Sequence, residues 1–210
     1  MTDNTGDYLE IEQKYDADAD FVLPDLSGPE GRAKTSRPRR YYLSATYFDT
    51  EELDLIRNRA TLRRRVGGTD EGWHLKLPVR KDTRQEVRAP LGGGAGSIEP
   101  VPARLAAQVA DITAGRPLRP IAILDTERTV VTLTDQAGEP LAEVADDRVT
   151  ATRLDQPGAE PVMWREVEVE SLTTGPGVPG LLQAAGQALR QAGARPSSSA
   201  SKLGRLLGRG

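Results

Sequence analysis

The 210-residue chain has no cysteine and only one histidine, His74. Without thiols there is no disulfide framework, no thiolate metal site and no cysteine nucleophile. One imidazole is too few for multi-histidine zinc sites, and it removes most serine–histidine triads. No apolar run approaches the length of a membrane span, and Met1–Asp7 is polar and acidic rather than signal-like, so a cytoplasmic location with no membrane partner is expected. A large excess of one charge is also lacking. The 31 acidic and 28 basic residues leave a net charge of −3, which argues against a nucleic-acid partner held by bulk positive charge. What remains for metal chemistry is carboxylate, which suits hard cations such as Mg²⁺ or Mn²⁺. The length fits one substantial domain spanning 1–210, with about 1–6 and 92–102 expected to be flexible.

What the chain does have is a set of strands with one ionic face. In Tyr8-Leu9-Glu10-Ile11-Glu12-Gln13-Lys14-Tyr15, strand alternation puts Glu10, Glu12 and Lys14 on one side and Leu9 and Ile11 on the other. Thr61-Leu62-Arg63-Arg64-Arg65-Val66 sets Arg63 and Arg65 opposite Leu62 and Val66. Trp73-His74-Leu75-Lys76-Leu77 sets His74 and Lys76 opposite three apolar residues. Arg84-Gln85-Glu86-Val87-Arg88 and Arg165-Glu166-Val167-Glu168-Val169-Glu170 repeat the pattern. A solvent-facing antiparallel sheet also alternates, but it tends to interleave signs. Here like charges sit two apart, which points to places for a divalent cation and for a polyanion.

Eight strands are expected: about 7–15, 41–48, 60–66, 72–79, 83–91, 121–133, 139–151 and 163–170. Gly67-Gly68-Thr69-Asp70 reads as a hairpin connection. Ser27 to Arg40, rich in glycine and proline, reads as a mobile loop. Short helical turns are expected after Asp16 and after Asp49 or Thr50, with helices over 103–113 and 180–192 and a last one near Lys202 to Leu207. The glycine run Gly92-Gly93-Gly94-Ala95-Gly96 lacks the Gly-Lys-Ser/Thr of a phosphate loop and reads as a linker.

The ordered series Glu10-x-Glu12-x-Lys14, Tyr47-Phe48-Asp49-Thr50, Leu62-Arg63-Arg64-Arg65, Leu75-Lys76-Leu77-Pro78, Arg84-x-Glu86, a late Glu-x-Glu-x-Glu and Ser201-Lys202 resembles the CYTH family, also called triphosphate tunnel metalloenzymes. The resemblance runs over nearly the whole chain. It implies an α+β fold, an eight-stranded antiparallel β-barrel whose charged interior forms a tunnel, flanked by helices, that binds a triphosphate with Mg²⁺ or Mn²⁺ and usually hydrolyses it.

On that footing Lys14, Arg63, Arg65, Lys76, Arg128 and Lys202 are the expected ligands of phosphate oxygens. Glu10, Glu12, Glu166 and Glu168 are the preferred metal ligands, with Glu170 in register nearer one end. The family also supplies an aspartate from the seventh strand, where this chain offers Asp146 and Asp147; alternation from Glu143 selects Asp147, and a bulge would select Asp146. Catalysis would centre on Glu10, Glu12, Lys14 and Lys76, with Tyr47 beside Lys76 a candidate proton-transfer pair. Arg84 and Glu86 would support the phosphate ligands as an ion pair, and Trp164 could stack a ring or plug the barrel end. The expected reaction is hydrolysis of inorganic tripolyphosphate. Thiamine triphosphate, a nucleoside triphosphate, cyclisation of ATP and non-catalytic polyphosphate binding are the alternatives. The partner is then a small triphosphate and no nucleic acid, and the chain would be a monomer or homodimer.

Overall fold

The computed structural model describes residues 12–27, 33–80, 83–92, 100–156, 158–175, 177–199 and 201–208. In chain order these form β1 (Glu12–Ala17), β2 (Lys34–Thr35), β3 (Arg39–Asp49), α1 (Asp54–Arg57), β4 (Thr61–Val66), β5 (Gly72–Arg80) and β6 (Thr83–Ala89). There follow α2 (Ala103–Gln108), α3 (Ala110–Thr113), β7 (Arg119–Thr134), β8 (Pro140–Arg153), β9 (Val162–Ser171), α4 (Val178–Gln191), β10 (Arg195–Pro196) and α5 (Lys202–Leu206). The chain forms two compact units, one from Ser44–Leu124 with Thr152–Ala159, the other from the described residues within 10–43, 125–151 and 160–210.

The first unit is built on the antiparallel succession β3-β4-β5-β6. Gly67 and Gly68, at φ 84° and 79°, supply the left-handed backbone of the turn between β4 and β5. One face of these strands carries Phe48, Leu62, Trp73 and Leu75, which pack with Leu55, Ala60, Leu105 and Val109 into a buried core. The apolar residues in the expected 103–113 helix do form that packing surface, but the helix is split at Val109, whose φ and ψ of −113° and 8° leave the helical range. The expected cap of α1 is also displaced. Leu53 takes the N-cap position, while the Asp49 carboxylate reaches in from the end of β3 to accept the Leu55 and Ile56 N–H groups at 2.8 and 3.0 Å.

In the second unit β1 pairs with both β9 and β10, and β9 pairs with β8, all antiparallel. Val167 and Val169 of β9 and Ala142 and Val144 of β8 meet Tyr15 and the inner face of α4 through Val178, Leu182, Ala185 and Leu189. Pro179 in the first turn of α4 suits a position whose N–H has no helical partner. Gly186 is required by close approach, since a Cβ there would lie 2.2 Å from the Tyr15 hydroxyl.

Ten strands are present among the described residues where eight are expected. The two extra are two-residue pieces, β2 within the stretch read as a loop and β10 after α4, too short to leave a hydrophobic period in the sequence. The fold is an antiparallel, β-rich α+β fold, and the expected count of eight strands is corrected to ten among the described residues. The expected helical turn after Asp16 is absent; β1 continues to Ala17 and a turn follows. No described helix is long and apolar enough to cross a membrane.

Candidate functional site: a carboxylate cluster and a cation row

In the second unit, strand register sets the charged side chains in layers. Lys14 of β1, Glu168 of β9 and Ala145 of β8 are partners across one layer, and Asp16, Glu166 and Asp147 across the next. Alternation then sends Glu166, Glu168 and Asp147 to one face while Val167, Val169 and Val144 enter the core on the other. Carboxylate oxygens of Asp147, Glu166 and Glu168 all lie within 4.8 Å of one another, and Asp147 and Glu166 are buried. Three acids this close and this poorly hydrated would repel strongly without cations.

Three cations answer them. The Lys202 ammonium lies 2.9 Å from Asp147 Oδ2, 2.7 Å from Glu166 Oε1 and 2.8 Å from Glu168 Oε1. Arg128 makes a two-point fork to Asp147, both bonds 2.7 Å, and reaches Glu168 Oε2 at 3.1 Å. Lys14 lies 2.6 Å from Glu168 Oε1 and 2.9 Å from Glu12 Oε1. Burial opposes the charge on Glu168, but Lys202, Lys14 and Arg128 outweigh it and hold that carboxyl well below the usual range. Asp147 is lowered against its burial by Lys202 and Arg128. Lys202, opposed by burial and favoured by Asp147, Glu168 and Glu166, is raised above the ordinary lysine value.

Of the expected metal ligands, the structure brings together Asp147, Glu166 and Glu168. Glu12 pairs with Lys14 and stands outside that trio, and Glu170 is the register partner of both Glu12 and Glu143. Glu10 lies outside the described residues. The choice between the two aspartates follows alternation. Asp146 points the other way and forms a buried two-point pair with Arg165, at 2.8 and 2.7 Å, under the Phe21 ring.

The trio fits a divalent cation on three counts. Its donors are hard oxygens, a lysine ammonium already sits among all three, and Glu166 Oε1 is buried without a hydrogen-bond partner of good geometry. Asp16 and Arg205, which sequence reasoning passed over, complete the surroundings with Trp164. Asp16, read as a helix cap, is the next member of the Glu12-Lys14-Asp16 alternation and pairs with Arg205 of α5. The Trp164 indole donates to Glu166 Oε2 at 2.5 Å, and the Arg205 guanidinium lies 5.2 Å over its ring.

The first unit carries the cation row. Tyr47, Arg63, His74 and Arg88 are successive register partners across β3, β4, β5 and β6, and Thr61, Lys76 and Glu86 form the next row. Arg65 pairs with Asp70 of the hairpin connection at 2.6 Å, and Arg63 makes one long contact, 3.5 Å, to the Tyr47 hydroxyl. Both arginines keep a buried Nε with no hydrogen-bond partner among the described residues. Unmatched guanidinium donors of this kind suit a multivalent anion.

His74, only 2% exposed, is the hub of this face. Its Nε2 donates to the Asp70 carbonyl at 2.8 Å and its Nδ1 meets Glu86 Oε1 at 2.7 Å, so one ring fixes both the connection that holds Arg65 and the acid between Lys76 and Arg88. Burial opposes ionisation of Glu86, but the His74 hydrogen bond, the Lys76 charge and Arg88 prevail and depress its carboxyl far below the usual range. The expected partner of Glu86 was Arg84. The Arg84 backbone pairs with Pro78, its side chain lies outside the description, and the partners that the structure gives Glu86 are His74 and Arg88.

The CYTH domain signature matches residues 9–191. Two uncharacterized proteins from two strains of Mycobacterium tuberculosis are 40% identical over 96% of this chain, which spans only 40% of the length of each. Solved structures share the fold. A candidate adenylate cyclase from Bacillus halodurans aligns with TM-score 0.58 and 16% identity over 93% of this chain and 96% of its own. The Hippeastrum protein HpAC1, a candidate adenylyl cyclase described as having a dominant triphosphatase activity, aligns with TM-score 0.55 and 18% identity over 95% and 96%. With the signature covering most of its residues, the chain belongs to the CYTH domain family.

Proposed function

We propose that the chain is a metal-dependent hydrolase of triphosphates, with inorganic tripolyphosphate, cleaved to diphosphate and phosphate, as its substrate. The observation that carries this reading is the buried meeting of Asp147, Glu166 and Glu168 with Lys202, Lys14 and Arg128. Phosphoryl transfer asks a protein mainly for positioning and for neutralisation of charge on the phosphate oxygens. A carboxylate trio beside three cations, and a separate row of arginines with spare donors, are the side chains that such work requires.

Asp147, Glu166 and Glu168 would hold the metal, Mg²⁺ or Mn²⁺, which when bound supplies Lewis-acid polarisation of a phosphoryl oxygen and lowers the pKa of a water. Lys14 and Arg128, oriented by Glu168 and Asp147, bind phosphate oxygens as point charge and fork respectively. Arg63 and Arg65 supply further donors, with Asp70 and His74 fixing their direction. Lys76, held over Glu86, contributes a further positive charge. An inorganic substrate is favoured over one with a base or thiazolium ring because the aromatic surface at the cluster, Trp164, is engaged by Glu166 and covered by Arg205.

Phosphate release from tripolyphosphate, ATP and thiamine triphosphate, each with Mg²⁺ or Mn²⁺ and with chelator, tests the reading. Tripolyphosphate should turn over fastest and only with metal. Preference for ATP with release of diphosphate would replace it with a cyclase, and tight calorimetric binding without turnover would replace it with a binding module.

A further inference from the structure

Lys202 lies beyond the residues matched by the family signature, yet it reaches the centre of the cluster. Its placement is over-determined. The Ser201 hydroxyl accepts the Gly204 N–H at 3.0 Å and starts α5, whose Leu203 is buried. Arg205 then pins the helix to Asp16 and to the face of Trp164, which is itself bonded to Glu166. An ammonium has three hydrogens, and here three different carboxylates stand 2.7 to 2.9 Å from it.

That is the place a divalent cation would take, and two cations cannot share it. In the described cluster four carboxylates (Glu12, Asp147, Glu166, Glu168) face three cations (Lys14, Arg128, Lys202), leaving one net negative charge, which disfavours a polyanion. A divalent cation in place of the ammonium cancels that charge. A lysine stem carries rotatable bonds enough to swing its ammonium aside while α5 stays docked.

We propose that Lys202 is a tethered stand-in for the metal: its ammonium and the divalent cation occupy the Asp147–Glu166–Glu168 trio in exchange. Metal entry displaces the ammonium and removes the cluster's net negative charge, so the triphosphate is favoured only after the metal has arrived. This rests on the metal reading above, but it concerns the order of events and the role of the lysine before substrate binds.

The test is Mn²⁺ binding to the full chain, read from the electron paramagnetic resonance of free Mn²⁺ and by calorimetry, with no substrate present. Lys202→Met should bind Mn²⁺ at least about tenfold more tightly than wild type. Arg128→Met removes the same charge but leaves the lysine in place, and should gain clearly less. In the wild type, Mg²⁺ should move the Trp164 indole N–H resonance, assigned with Trp164→Phe, and the Lys202 Cε resonance, and leave the Trp73 indole unmoved. This wild-type measurement decides the matter if Lys202→Met fails to fold. Equal gains in the two methionine variants, or an unmoved Lys202 Cε with Mg²⁺ bound, would overturn the exchange and leave the metal site standing. Absence of Mn²⁺ binding in every protein would overturn the metal reading and the exchange together.

Discussion

In the unit that carries β9, each cation of the cluster is already matched to a carboxylate, whereas in the unit that carries β4 Arg63 and Arg65 each keep a buried Nε without a hydrogen-bond partner among the described residues. Both regions come from the same device, a strand with every second residue charged and the others in a core. They differ in the sign of the rows. Opposite signs on adjacent strands give a densely paired cluster, one negative charge in excess, whose carboxylates suit a metal. Like signs on one strand, with Asp70 and Glu86 as acids nearby, leave donor capacity for an anion. Alternation makes the face, and the sign grouping decides what the face can hold.

Substitutions in the two regions should therefore act on different quantities. Asp147→Asn and Glu168→Gln should each lower metal-dependent phosphate release by about a thousandfold or more, the scale of several kcal/mol of lost charge stabilisation. Mn²⁺ binding should fall in parallel; turnover within tenfold of wild type would break the assignment of the trio. One residue away the outcome changes in kind. Asp146→Ala leaves Arg165 charged and buried without its partner, and should cost about 3 to 5 kcal/mol in denaturant unfolding while Mn²⁺ affinity is kept. Loss of Mn²⁺ binding in a folded Asp146→Ala protein would reverse the choice between the aspartates.

In the cation row, Arg63→Ala and Arg65→Ala each remove a charged donor worth about 1.5 to 3 kcal/mol. KM for tripolyphosphate should rise about 10- to 100-fold with Mn²⁺ affinity unchanged. An unchanged KM in both would remove the anion-binding role from this unit. The smallest effect concerns Glu86. Its carboxyl is depressed in the folded state, so its contribution is fully present above the unfolded value of about 4.3 and is lost as pH falls further. The Tm advantage of wild type over Glu86→Gln should be constant above about pH 5 and shrink below about pH 4. A difference that grew in acid would contradict the pairing with His74.

Much of this was legible in the sequence because alternation and sign survive without coordinates. The strands β3, β4, β5, β6, β7, β8 and β9 were visible, and the parity argument from Glu143 led to Asp147. What escaped did so for identifiable reasons. Asp16 carries two meanings, helix cap or strand residue, and the cap reading won because aspartates follow it at 18 and 20. Asp70 sits in a glycine-rich turn, where polar residues are read as turn chemistry, and nothing local announces that its side chain returns to Arg65. His74 was placed on the ionic face, but its role as hub depends on Glu86 from the next strand and on a backbone carbonyl, which no spacing reveals. The two-residue strands β2 and β10 are too short to carry a period. Lys202 was proposed for phosphate from the family's ending alone, and its three carboxylate contacts are a finding of the fold.

The most direct measurement is the Mg²⁺ and Mn²⁺ dependence of tripolyphosphate hydrolysis in wild type and Glu168→Gln side by side. The account predicts saturable, chelator-sensitive turnover in wild type and near-complete loss in the variant at every metal concentration. Hydrolysis by folded Glu168→Gln at the wild-type rate and metal requirement would contradict it.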